Sequence, residues 1–161
     1  MRPLLVLLLA LVFAGGAAAA TFTFTVTTAT PMTLATVTLN GVDQTKTFSI
    51  ADTVAYTGPS NTLGWKVQIS ATTPISGSNT LPALIITAGS FACQTGCTTS
   101  PTNSVGYPIS LSTTAQKAYN AAVNTGRGTF TVTNTFQVTY PSNIITGTYA
   151  TTVTLAGSTG P

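Results

Sequence analysis

The stretch Leu63–Pro74, "LGWKVQISATTP", decides the fold. Trp65, Val67 and Ile69 alternate with Lys66, Gln68 and Ser70. Successive side chains of a strand point to opposite faces, so a period of two sorts these residues into one apolar face and one polar face. That is a strand half buried against a core. The chain's sole tryptophan therefore reads as a core plug and not as an exposed ring for stacking on a sugar.

The same alternation recurs along the chain. "TFTFTVTTAT" (21–30) sets Phe22, Phe24 and Val26 against threonines. "TLATVTLNGV" (33–42) alternates and then reaches Asn40-Gly41, a pair that signals a tight hairpin. "KTFSIAD" (46–52) and "TVAYTG" (53–58) read as two shorter strands, with the loop "TGPSNTLG" (57–64) after them. "LPALIITAG" supplies a strand over 81–87. "GTFTVTNTFQVTYPSN" (128–143) and "ITGTYATTVTLAGS" (145–158) are two long strands joined at Pro141-Ser142-Asn143.

One segment breaks the pattern. In "ISLSTTAQKAYNAAVNTGRG" (109–128), Ser112 has the chemistry of a helix cap. Ala115, Ala118, Tyr119, Ala122 and Val123 fall at helical spacing, and Asn124 and Gly126 supply a stop. The sum predicts an all-β fold: a β-sandwich of the Ig-like or Greek-key type with one short helix near residues 112–124.

The first twenty residues are read separately. Arg2 is a short positive region, Leu4–Phe13 an apolar run too short to span a bilayer, and Ala18-Ala19-Ala20 a small-residue cleavage site. Residues 1–20 are expected to be a secretory signal peptide and 21–161 a single domain. The expected product is secreted, extracellular or on the cell surface, with no membrane span after cleavage.

Charge is scarce. Without Arg2, Lys46, Lys66, Lys117 and Arg127 stand against Asp43 and Asp52, four minus two, a net +2. Cations scattered singly give nucleic-acid binding no electrostatic basis. The polar surface is threonine, serine, asparagine and glutamine, and it lacks the charges that usually keep strand edges from associating. Cys93 and Cys97 in "CQTGC" are the two cysteines; in a secreted chain they are expected to form a structural disulfide. Closing so small a loop removes little chain entropy, so the bond staples a turn more than the fold. The chain has no histidine, and no metal or cofactor is expected.

Catalysis has few candidates. There is no histidine and no glutamate, so a Ser/His/Asp triad is excluded. Asp43 sits at a turn, where an Asp commonly bonds nearby backbone amides, and Asp52 just before a strand. Nothing in the sequence brings these two carboxylates together as a glycosidase pair. No phosphate-cradling glycine loop is present. The chain is expected not to be an enzyme.

"IADTVAYTGPSNTLGWKVQISATTP" (50–74) resembles the central portion of the bacterial WxL domain. There an Asp-containing strand leads to Gly-Trp, an alternating strand and an Ala-Thr-rich turn. "NTGRGTFTVTNTFQVTYPSNIITGTYATTVTLAGSTGP" (124–161) resembles the end of that domain: G-x-G before a strand, a Pro turn, Gly-Thr-Tyr, a last alternating strand and a terminal Gly-Pro. The resemblance covers roughly Phe22 to Pro161. It implies a secreted module that associates non-covalently with the wall of Gram-positive bacteria through two signature tripeptides. The first maps onto Trp65-Lys66-Val67, with Val where the family has Leu; the second onto Val153-Thr154-Leu155, with Val where the family has Trp.

The leading functional expectation is thus a non-catalytic surface protein, its partner a cell-wall polymer or another surface protein. The alternative is a self-assembling filament or pilus-like subunit. The N-terminal strand with Phe22, Phe24 and Val26 would be donated into a neighbouring copy.

Overall fold

The computed structural model describes residues 21–26, 32–57 and 63–161. The expected signal peptide, residues 27–30 of the first expected strand and most of the loop 57–64 lie outside the described residues. The described chain forms β1 (Thr21–Val26), β2 (Met32–Thr33), β3 (Gln44–Thr57), β4 (Trp65–Ala71), β5 (Ile75–Ser76), β6 (Asn79–Thr80), β7 (Ile85–Thr99), β8 (Ile109–Ser110), β9 (Gln116–Ala121), β10 (Arg127–Tyr140), β11 (Ala150–Thr151) and β12 (Val153–Thr159).

Two antiparallel sheets make the sandwich. One has the order β1-β3-β10-β7-β8 and the other β12-β4-β9, while β2-β11-β5-β6 forms a small third sheet. The alternation read from the sequence is what seals the space between them. Trp65, Val67, Ile69 and Ala71 of β4 are buried, as are Phe130, Val132, Phe136, Val138 and Tyr140 of β10 and Ile50, Val54 and Tyr56 of β3. Threonines occupy the opposite parity, where a β-branched polar side chain suits a pleated, half-wet surface. β1 closes one flank: the Phe22 ring lies 6.3 Å from Tyr56, and Phe24 packs so tightly on Gly157 of β12 that a Cβ there would sit 2.5 Å from the ring.

Residues 112–124 contain no helix; they hold β9, paired antiparallel with β4. The helical spacing has a physical origin. Tyr119 and Ala121 face the core opposite Val67 and Trp65, and a register shift at Val67/Gln68 disturbs the parity. The opposite side of β9 is covered as well, because Tyr107 donates its hydroxyl to the Ala118 carbonyl and Ser104 caps the Asn120 side chain. Four successive residues, Ala118 to Ala121, are therefore buried, and a strand buried on both faces shows no alternation. Ser112 caps a turn, its Oγ accepting from Thr114 N at 3.2 Å. Asn124 and Gly126 do take positive φ, 63° and 69°, but they end a strand.

Three smaller expectations are also corrected. The segments 46–52 and, as far as the described residues run, 53–57 form one strand, β3, whose register against β10 runs unbroken from Gln44 to Tyr56. Asp52 lies inside that strand, not before it. The Asn40-Gly41 turn forms, with Asn40 Oδ1 accepting from Val42 N at 3.3 Å, but it closes no hairpin, since β2 pairs with β11 and β3 with β10 and β1. The last expected strand is divided at Thr152 into β11 and β12.

Burial leaves a titration signature. It pushes the Tyr119 phenol up to about 12, with neighbouring Tyr107 adding to the rise. Burial also raises Tyr107, against a hydrogen bond from Asn103 that lowers it, and raises Tyr140. The folded state thus holds these protons to a higher pH than the unfolded chain, whose tyrosines ionise at about pH 10. Their contribution to stability is complete below that value and is lost as pH rises from about 10 towards 12. Urea unfolding midpoints are expected to fall over that window, and Tyr119→Phe to flatten the fall. A midpoint that holds steady over the window would contradict the burial of these phenols.

Candidate functional site

The two tripeptides singled out in the sequence come together on one sheet. Trp65-Lys66-Val67 lies on β4 and Val153-Thr154-Leu155 on β12, its antiparallel neighbour. They are not side by side: Lys66 stands opposite Ser158 and Thr154 opposite Ser70. Four residues of offset correspond to roughly 13 Å along the strand.

Within each tripeptide the large apolar residues point inward. Trp65, Val67 and Val153 are all 0% exposed. The indole Nε1 donates to the Gly126 carbonyl at 2.8 Å. Its ring stacks on Tyr119 at 6.0 Å and meets Phe130 of the facing sheet at 6.5 Å. Gly126 must be glycine for this approach, because a Cβ there would sit 2.6 Å from Nε1. Trp65 therefore presents no ring to solvent.

The residues of opposite parity form the outer face of β12-β4-β9. Lys66 sits between Ser158 on β12 and Asn120 on β9, and Gln68 between Ala156 and Lys117. Ser70 and Thr154 continue the face. Lys66 and Lys117 are diagonal neighbours across the β4–β9 pair, about 7–8 Å apart in ordinary sheet geometry. Two of the four cations of residues 21–161 thus share one face with serine, threonine and glutamine side chains. The carboxylates are elsewhere. Asp52 is 0% exposed within the core, and Asp43, ahead of β3 in the other layer, accepts from Ser142 N at 2.7 Å.

The aspartates are not brought together. β3 carries the chain straight from Gln44 past Asp52, which places the two carboxylates roughly 30 Å apart. A glycosidase pair works at about 5–10 Å. A cleft of about 190 Å³ lies between residues 34–39 and 144–149, lined by Leu34, Val37, Leu39, Tyr140, Ile145 and Tyr149. Both tyrosine hydroxyls there are committed to backbone carbonyls, Tyr140 to Ala35 and Tyr149 to Ile145. The cleft is smaller than the ~300–1,000 Å³ usual for small-molecule sites.

Cys93 and Cys97 are disulfide-bonded, with Cα atoms 6.1 Å apart. Both belong to β7, and the extra residues between them form a bulge against β10: Thr129 pairs with Thr95 and Phe130 with Cys93. The staple therefore fixes an irregularity within a strand. Among the described residues, no helix is long and apolar enough to cross a membrane. Phe22 and Phe24 are half-buried in their own domain, and Val26 pairs with Asp52.

Asp52 and Asn134 were missed as core residues. Both sit at core parity, in "TFSIADTVAY" and "TFTVTNTFQV", so the alternation itself marks them. No protein-family model, curated protein or solved structure matches this chain.

Proposed function

We propose that this chain is a non-catalytic, secreted surface module, WxL-like, that attaches non-covalently to an anionic polymer of the cell wall through the outer face of β12-β4-β9. The observation that carries the reading is the diagonal placement of Lys66 and Lys117 across β4 and β9 on a face bearing hydroxyl and amide side chains, with both carboxylates elsewhere. Ammonium groups attract phosphate or carboxylate, and serine, threonine and glutamine side chains hydrogen-bond sugar or polyol hydroxyls. The disulfide suits an oxidising compartment. The separated carboxylates and the missing histidine and glutamate support a role without chemistry.

The test is a pull-down on purified wall sacculi. Two cations near an anionic surface contribute about 1 kcal/mol each, so Lys66→Gln with Lys117→Gln is expected to weaken retention about tenfold or more. Retention is expected to fall as salt rises. A protein absent from the pellet at every salt concentration, or a double variant retained like the parent, defeats the reading. Donation of β1 to a neighbouring copy is kept second. β1 is an edge strand, hydrogen-bonded on one side to residues 52–57 of β3, the position a donated strand would occupy.

A further inference from the structure

We propose that the outer edge of β7, over Ala88–Cys93, pairs with the same edge of a second copy about a two-fold axis through Phe91. It is independent of wall binding, which uses the other layer.

The edge is regular where it is open. β7 pairs with β10 in unbroken register from Ala88↔Thr135 to Cys93↔Phe130, between the register shift at Thr135/Phe136 and the disulfide bulge. On its far side β8 pairs only with Ile85 and Ile86. Among the described residues no backbone hydrogen bond reaches that side of residues 88–93. A row of unpaired N–H and C=O groups is a template for another strand.

One other edge is covered. β9 is covered by the 100–105 segment, through Ala122 N to Thr102 O at 3.0 Å and Asn120 N to Asn103 Oδ1 at 3.1 Å. β12 and β1 also end their sheets, and Phe24 of β1 packs on the inner face of β12 at Gly157.

The usual guards are missing. From Val67 to Gln116 the chain has no Asp, Glu, Lys or Arg, so two copies meet at this edge without repulsion. Nothing charged there selects a foreign partner, whereas the same neutral strand run antiparallel matches itself.

The axis follows from parity. Residues directly opposite one another in an antiparallel pair share a face, so a two-fold must pass through a residue. Phe91 faces the inner side, T-shaped on Phe130 at 5.9 Å, yet is 39% exposed. On the axis its ring meets the ring of its copy, an aromatic cross-strand pair that covers this exposed surface. Ser90 then lies opposite Ala92 of the second copy, and the isologous contact closes as a dimer instead of a filament.

Sedimentation velocity over a concentration series tests this, using the secreted chain. A monomer–dimer equilibrium is expected. Ser90→Lys with Ala92→Lys places like charges opposite each other and is expected to weaken the dimer about tenfold. The same charge added by Thr45→Lys with Thr47→Lys on exposed positions of β3 is expected to leave it unchanged. Circular dichroism checks that both doubles are folded. A parent that stays monomeric throughout, or a β7 double that dimerises like the parent, overturns the proposal. So does an open polymer abolished by deleting Thr21–Val26, which would instead support donation of β1.

Discussion

Trp65→Ala is expected to cost about 3–5 kcal/mol, read as a lower urea midpoint with little change in slope. The indole is wholly buried, stacked on Tyr119 and against Phe130, with its N–H donated to the Gly126 carbonyl. Alanine leaves a cavity spanned by both sheets, because neither β4 nor β10 can shift without breaking its ladders. It also leaves the Gly126 carbonyl without its side-chain donor. Against the 5–15 kcal/mol that holds a typical domain together, this is a large fraction. Trp65→Phe separates the two contributions: it retains most of the ring and loses the donor, so its cost should be nearer the ~1 kcal/mol of one hydrogen bond plus a smaller packing deficit. Iodide should fail to quench the native fluorescence. Efficient quenching, or a Trp65→Ala loss below about 1 kcal/mol, a cost typical of minor truncations, would show that the indole is not the plug.

The consequence for binding is direct. If Trp65 spans the gap between the layers, any effect of its removal on wall retention should follow loss of folding. Lys66→Gln and Lys117→Gln should lower retention without moving the urea midpoint appreciably, as expected of exposed or half-exposed sites. The two sets of variants therefore separate a structural tryptophan from a ligand-contacting face.

How much was legible depended on whether a strand was buried on one face or two. β4 and β10 each show one wet and one dry side, so alternation alone puts Trp65, Val67 and Ile69 on the core face and marks 128–143 as a long strand. β9 is covered on both sides, by the sandwich and by the 100–108 segment, and its run of small buried residues imitates a helix. The sequence places Asp52 just before a strand, yet pairing with β10 on one side and β1 on the other carries β3 through it. The diagonal placement of Lys66 and Lys117 is out of reach of the sequence for a different reason. They are far apart in sequence and meet only through the β4–β9 register, which requires β9 to be a strand. Misreading that one segment hid the face on which the proposed function rests.

The same parity that builds the core also places a polar side chain in it, and removing that group should stabilise the protein. Asn134 stands in the inner row of β10 between Val132 and Phe136, is 0% exposed, and neither its Oδ1 nor its Nδ2 has a hydrogen-bond partner among the described residues. It lies opposite Ile50 and Gly89, with the buried Asp52 two residues from Ile50 on the same face of β3. A buried amide left unsatisfied costs about 1–3 kcal/mol. Leucine has the same branching and the same number of side-chain heavy atoms. Asn134→Leu is therefore expected to raise unfolding free energy by about 1–3 kcal/mol, and Asn134→Val, smaller and β-branched, to test whether volume limits the gain. Gly89 sets that limit, since the Tyr107 and Tyr119 rings already crowd its open side. If both variants lose stability, the amide must be engaged where the sandwich looks dry, and the picture of a core sealed between two layers would have to give way at this point. If both gain, the row from Phe130 to Tyr140 behaves as continuous apolar packing interrupted once.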